Sequence, residues 1–374
     1  MNDKIIQCFK IPKFSFKPFH ISKENKYFIE TLYYYYKSVN IPNYVEKYGK
    51  TNSSEFGIYY QHIPANILTY IKKQHYDKHL IQFIVNKRRI SIHFFTKSKM
   101  SKKIIDSTIQ IISFISNFAS IECSKLLDIY IFNTPFKKEI ATFDNNRIER
   151  KDINSAYTFS CYEKNSIYIF RKEEWKKVLI HECIHAFGID FSTIETDHAD
   201  TVNAKLDNIF NLGINYKFNE AYCETLATII TSIDLFRSQK ENTEIIPFME
   251  THLTHEIIHS LVQSNKYLKH SSLSMRHLVF GKDNSTYSEN TSAFSYYFIK
   301  SLFLYNINSF LKITHSISNH TLKNSFTPKN IIKYIDLIHK TAYSNDFKND
   351  MKLADKLISQ CPLLHKSMKF SFYG

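Results

Sequence analysis

The chain has 374 residues, 43% hydrophobic and 22% charged, which excludes an intrinsically disordered polypeptide and leaves room for one large domain or two closely packed lobes. Its net charge is +14, yet there is no dense Lys/Arg run and no nucleic-acid signature, so nucleic acid is not the favoured partner. Only six glycines, with no glycine-rich phosphate loop, argue against a nucleotide cradle.

Residues 1–25 are basic and aromatic, contain Pro12 and Pro18, and read as an extended arm. Asn25 to Val39 predicts a half-buried helix carrying Tyr33-Tyr34-Tyr35-Tyr36, and Pro64 opens a short helix that runs to about Gln74. From His79 the period changes to two. Leu80–Val85 and Ile90–Phe95 predict a hairpin turning near Lys87-Arg88. Ser101 to Ile121 has apolar residues at helical spacing, among them Ile105, Ile109, Ile112 and Ile115. Leu126–Phe132 returns to strand, and Tyr157–Cys161 with Ser166–Phe170 predict a second hairpin. Segments 172–187, 218–236, 250–267, 288–313, 328–343 and 346–360 read as helices, with Thr327-Pro328 as an N-cap and first-turn pair.

The expected fold class is therefore α+β. Residues 1–78 supply an arm and helices, 79–187 a mixed-sheet lobe ending in a motif helix, and 188–374 a mostly helical lobe. No window is long and apolar enough for a membrane span, and the first residues lack an apolar signal core. Cys8, Cys123, Cys161, Cys183, Cys223 and Cys361 form no Cys-x-x-Cys pair, so free thiols and a reducing, cytoplasmic setting are expected.

The charge is unevenly placed. Residues 178–265 hold thirteen acids and four bases, a local charge of −9 against +23 elsewhere, and such a district favours a cation. Within it stands His181-Glu182-Cys183-Ile184-His185, followed by Gly188. On a helix, residues four apart share a face, so His181 and His185 can hold one metal ion while Glu182 serves as general base. Glu173 and Glu174 suit the start of that helix, Trp175, Val178 and Leu179 its packing on the sheet, and Gly188 its end. Zinc needs a third protein ligand and an open position. A third histidine six residues after the second would be the metzincin pattern, but that position is Phe191, and Asp190 is one residue early.

Downstream, Asn219-Glu220-Ala221-Tyr222-Cys223-Glu224 opens a helix with both acids on one face. Together with the first motif this resembles the gluzincin metallopeptidases, the thermolysin-like and aminopeptidase group, over about residues 166–236. The resemblance implies a zincin-like fold and a Zn2+ cofactor. It makes Glu220 the third ligand and gives Glu224 the task of orienting a ligating histidine. It departs in spacing, with 34 residues between His185 and Glu220, and Glu224, Asp197, His198 and Asp200 stay open as rival ligands. The implied activity is hydrolysis of peptide bonds in a peptide or protein substrate by zinc-activated water, with Glu182 as general base. Tyr287, Tyr296, Tyr297 and His277 are candidates to support the oxyanion, and the 166–170 strand is a candidate edge for pairing with substrate.

A second His-Glu-x-x-His copy, His255-Glu256-Ile257-Ile258-His259, lies on another expected helix, with Glu289 as a possible partner. It lacks a preceding strand, a closing glycine and an Asn-Glu companion. The competing functional classes are an inactive zincin-like scaffold and a basic nucleic-acid-binding protein. The abundance of Lys, Ile, Asn, Tyr and Phe resembles proteins of AT-rich protists and their large DNA viruses, which accounts for the basic charge without a partner.

Overall fold

In a computed structural model, the described residues are 2–9, 16–139, 148–191, 196–239, 243–280, 287–317, 322 and 327–373. The chain forms two compact units, residues 32–138 with 154–193, and residues 1–31 with 139–153 and 194–374. The helices in chain order are α1 (Asn2–Phe9), α2 (Lys23–Ser38), α3 (Ala65–Lys73), α4 (Lys102–Ser116), α5 (Arg150–Ile153), α6 (Trp175–Ala186) and α7 (Thr196–Phe210). They continue with α8 (Phe218–Phe236), α9 (Ile245–His270), α10 (Met275–Phe280), α11 (Lys300–Tyr305), α12 (Ile307–Ile317), α13 (Pro328–Tyr343) and α14 (Asn345–Gln360). The strands are β1 (Tyr44–Lys50), β2 (Asp77–Val85), β3 (Arg88–Thr96), β4 (Leu126–Phe132), β5 (Ala156–Thr158) and β6 (Lys164–Ile169).

The strands of the 32–193 unit form one mixed sheet in the order β1-β2-β3-β4-β6-β5. β3, β4 and β6 run parallel to one another, while β1, β2 and β5 pair antiparallel with their neighbours. Alternation along the strands sorts the core into two faces. Phe95, Tyr130, Phe132, Tyr168 and Phe170 pack against Phe56, Ile63 and the buried side of α3. The opposite parity, with Phe94, Ile131 and Ile169 in register, faces α6, where Trp175 meets Phe94 edge-on at 6.1 Å. The β2–β3 hairpin turns through Asn86 and Lys87, at φ 49° and 61°, the left-handed pair that matches the twist of the strands it joins.

Several expectations are corrected. Residues 2–9 form a helix rather than an extended arm. β1 is a strand the sequence concealed: Tyr-Val-Glu-Lys-Tyr-Gly-Lys is mostly exposed, so no apolar alternation marks it. The 166–170 segment lies between β4 and β5, so the sheet edge beside it is the three-residue β5 and not this strand. The 288–313 helix is broken into a π-helical turn at Ser295–Ile299, α11 and α12. The expectation of six free thiols also fails. Cys8 is joined to Cys361 and Cys123 to Cys161, while Cys183 and Cys223 are buried and outside these disulfides. Partners 353 and 38 residues apart leave no local spacing to read.

In the other unit, α9 lies against α8, α11 and α14. Thr327 caps α13 as expected, its hydroxyl accepting from Asn330 N at 3.3 Å. No helix among the described residues is long and apolar enough to cross a membrane.

Candidate metal centre

Helix α6 carries the first motif. It begins at Trp175, later than expected, because Glu174 adopts a left-handed conformation at φ 59°. Buried ties hold that strained residue. The Glu174 carboxylate accepts from Lys138 Nζ at 2.8 Å, with both side chains fully buried, and the Glu173 carboxylate accepts from Lys138 N at 2.8 Å. Buried Arg171 donates to Asn154 O at 2.8 Å and to Lys137 O at 2.5 Å. Lys176 reaches Ser107 Oγ on α4 at 2.9 Å.

The far end of α6 closes as the glycine predicts. Gly188 N donates to His185 O at 3.0 Å and Ile189 N to Ile184 O at 2.9 Å, the paired bonds of a Schellman turn, with Gly188 at φ 64°. The last carbonyls find further donors: Cys161 N on His185 O at 3.2 Å, Ser124 Oγ on Ala186 O at 2.7 Å and Ser120 N on Phe187 O at 3.0 Å. A Cβ on Gly188 would stand 2.7 Å from Cys123 Sγ, so the turn is seated on the Cys123–Cys161 pair.

His181, Glu182 and His185 are all buried. The Nε2 atoms of His181 and His185 face each other at 3.1 Å. Two nitrogens bound to one tetrahedral zinc at ~2.0–2.1 Å stand about 3.3 Å apart, so this spacing fits a shared ion. His185 Nδ1 lies 2.5 Å from Asp190 Oδ2, and both side chains are buried. A carboxylate only accepts, so the proton sits on Nδ1 and Nε2 carries the lone pair that a metal ion would use. Cys183, between the histidines in sequence, is not a thiolate: burial, and then the charge of Glu182, push its thiol far above the ordinary range.

Asp190 was missed as a partner. Its sequence signal was its place two residues past the terminating glycine, where a Schellman turn folds the chain back toward the last helical turn.

Glu220 and Glu224 stand one turn apart near the start of α8, in the other unit. The turn before α8 is pinned by Asp207, whose carboxylate accepts from Gly213 N at 2.7 Å, Leu212 N at 3.1 Å and Tyr216 Oη at 2.8 Å. Glu220 accepts from Tyr296 Oη at 3.0 Å, and Glu224 pairs with Lys300 Nζ at 3.4 Å where both side chains are buried. Tyr296 lies in the π-helical turn, a distortion that often marks functional positions. The carboxylate seen on His185 is that of Asp190.

Of the rival ligands, Asp200 is exposed on α7, while the side chains of Asp197 and His198 lie outside the described residues. Among the oxyanion candidates, Tyr297 donates to Met368 O at 2.8 Å, Tyr287 to Glu289 at 3.2 Å and Tyr296 to Glu220. His277 sits on α10. In the second motif, Glu256 and His259 are buried and, like His255, are engaged by residues 369–373. Glu289 instead accepts from Phe294 N at 3.0 Å.

Comparison with models of protein families, with curated proteins and with solved structures gives no match for the chain.

Proposed function

We propose that the chain is a zinc-dependent metallopeptidase of gluzincin type, built on a zincin-like scaffold of mixed sheet, motif helix and helical second lobe. One observation carries this reading: the two Nε2 atoms of the first motif face each other at ligand spacing while Asp190 fixes the tautomer of His185. In this reading His181 and His185 hold the ion, and Glu220 supplies the third ligand from α8. Bound zinc contributes Lewis acidity and lowers the pKa of water. Glu182, next to His181 in the buried last turns of α6, takes the proton of the attacking water and passes it to the leaving amine. Asp190 keeps the His185 ring oriented throughout.

The test is metal content together with hydrolysis of a mixed peptide library. Glu182→Gln should keep about one equivalent of zinc and lose hydrolysis. The double variant His181→Ala/His185→Ala should lose the zinc. Zinc retained by that double variant would sink the assignment.

A further inference from the structure

Helix α9 carries a polar stripe at helical spacing: His252, His255, Glu256, His259, Gln263 and Lys266. All but His255 are buried, and buried polar groups require partners. Many of those partners belong to one segment that follows α14, residues 364–373. Lys266 Nζ donates to Leu364 O at 2.7 Å and also to Ser367 O. His259 Nε2 and Gln263 Nε2 meet Lys369 O at 3.1 and 2.9 Å, Tyr297 Oη donates to Met368 O at 2.8 Å, and Lys300 Nζ donates to Phe370 O. Glu256 accepts from Phe372 N at 3.0 Å, Tyr373 N at 3.1 Å and Ser371 Oγ at 2.6 Å. Successive N–H groups converging on one carboxylate form an anion nest.

Side chains complete the fit. Phe370 packs on Tyr296 and Tyr297 at ring distances of 4.8 and 5.1 Å. Phe372 lies 5.4 Å from Phe9, and Tyr373 stacks on His252 at 3.5 Å with its hydroxyl 2.5 Å from His255 Nδ1. Main-chain groups read by the receptor, with pockets for alternate aromatic side chains, are the marks of peptide recognition. The Cys8–Cys361 pair fastens the chain ahead of this segment, and α14 itself packs on α9.

We propose that the second His-Glu-x-x-His helix is a peptide-docking site whose ligand has the form Phe-Ser-Phe-Tyr, supplied here by the chain's own residues 370–373. The two are receptor and ligand within one polypeptide, and the segment binds equally as a separate peptide. This does not depend on the proposed metal centre.

The experiment uses a chain ending at Lys366 and a fluorescent synthetic peptide of residues 364–374, followed by anisotropy. Saturable one-to-one binding is expected, unchanged by a zinc chelator. Glu256→Gln in the receptor, or N-methylation at Phe372 in the peptide, should each weaken it at least about tenfold, the worth of a hydrogen bond to a charged group. Equal binding of a scrambled peptide, or no effect of either change, overturns the proposal. Should the shortened chain fail to fold, a protease site inserted after the exposed Lys366 allows the segment to be cut in the folded full chain. The cut chain should take up the labelled peptide; failure to do so overturns the proposal as well.

Discussion

Asp190 Oδ2 stands 2.5 Å from His185 Nδ1, five residues along the chain and on the far side of the Gly188 turn. The carboxylate holds the ring and its proton, so its removal should act on metal affinity more than on folding. Asp190→Asn is expected to weaken zinc binding by roughly 10–100-fold, measured by competition with a chromophoric chelator. Unchanged affinity would remove Asp190 from the site.

Gly188 is held at φ 64° with Cys123 Sγ in the space a side chain would need. Gly188→Ala should therefore cost roughly 1–3 kcal/mol, read as a fall in denaturation midpoint. The loss should be accompanied by weaker zinc binding, because the same turn delivers Asp190.

Lys300 and Glu224 are both almost wholly buried at 3.4 Å, and Lys300 also donates to Phe370 O. Removing one member takes from the other the opposite charge it is buried against. Lys300→Met should destabilise by roughly 3–5 kcal/mol, and the double change Lys300→Met/Glu224→Leu should recover much of that loss. A double-mutant cycle in urea checks both.

Burial pushes the Glu289 carboxyl up to about 7, above its ordinary 4.5. The folded state thus holds a proton that the unfolded state has released. Its stabilising contribution is complete below about pH 4.5 and is lost as pH rises to 7, a change of roughly 3 kcal/mol. Glu289→Gln keeps the shape of the protonated form and should flatten this part of the stability profile, measured by denaturation at several pH values. A profile as steep as that of the parent chain would place the titration elsewhere.

Much of the sheet and most helices were legible because period-two and period-3.6 apolar patterns report burial on one face, as in Ile90–Phe95 and Ile104–Ile115. The end of α6 was equally plain, since only glycine suits the left-handed residue after His185 and its neighbours. β1 was hidden because an exposed edge strand buries nothing, and the 166–170 strand was misplaced because pairing order is not a local property. Asp190 was set aside as a ligand and so overlooked as the partner of His185. The second motif matched the first in letters alone; what distinguishes it is a segment more than a hundred residues away, seen in Ser371, Phe372 and Tyr373 around Glu256.

Tyr296 and Lys300, one helical turn apart, each touch two things at once. Tyr296 bonds Glu220 and packs on Phe370, while Lys300 pairs with Glu224 and holds Phe370 O. Shared groups make the two events thermodynamically linked, and linkage is reciprocal. Whatever free energy Glu220 and Glu224 draw from well-placed Tyr296 and Lys300, the docked segment gains or forfeits by the same amount. Substitution of Glu220 or Glu224 should thus change how firmly residues 370–373 are held, with or without metal, and loosening that segment should in turn shift Tyr296 and Lys300 on the two carboxylates.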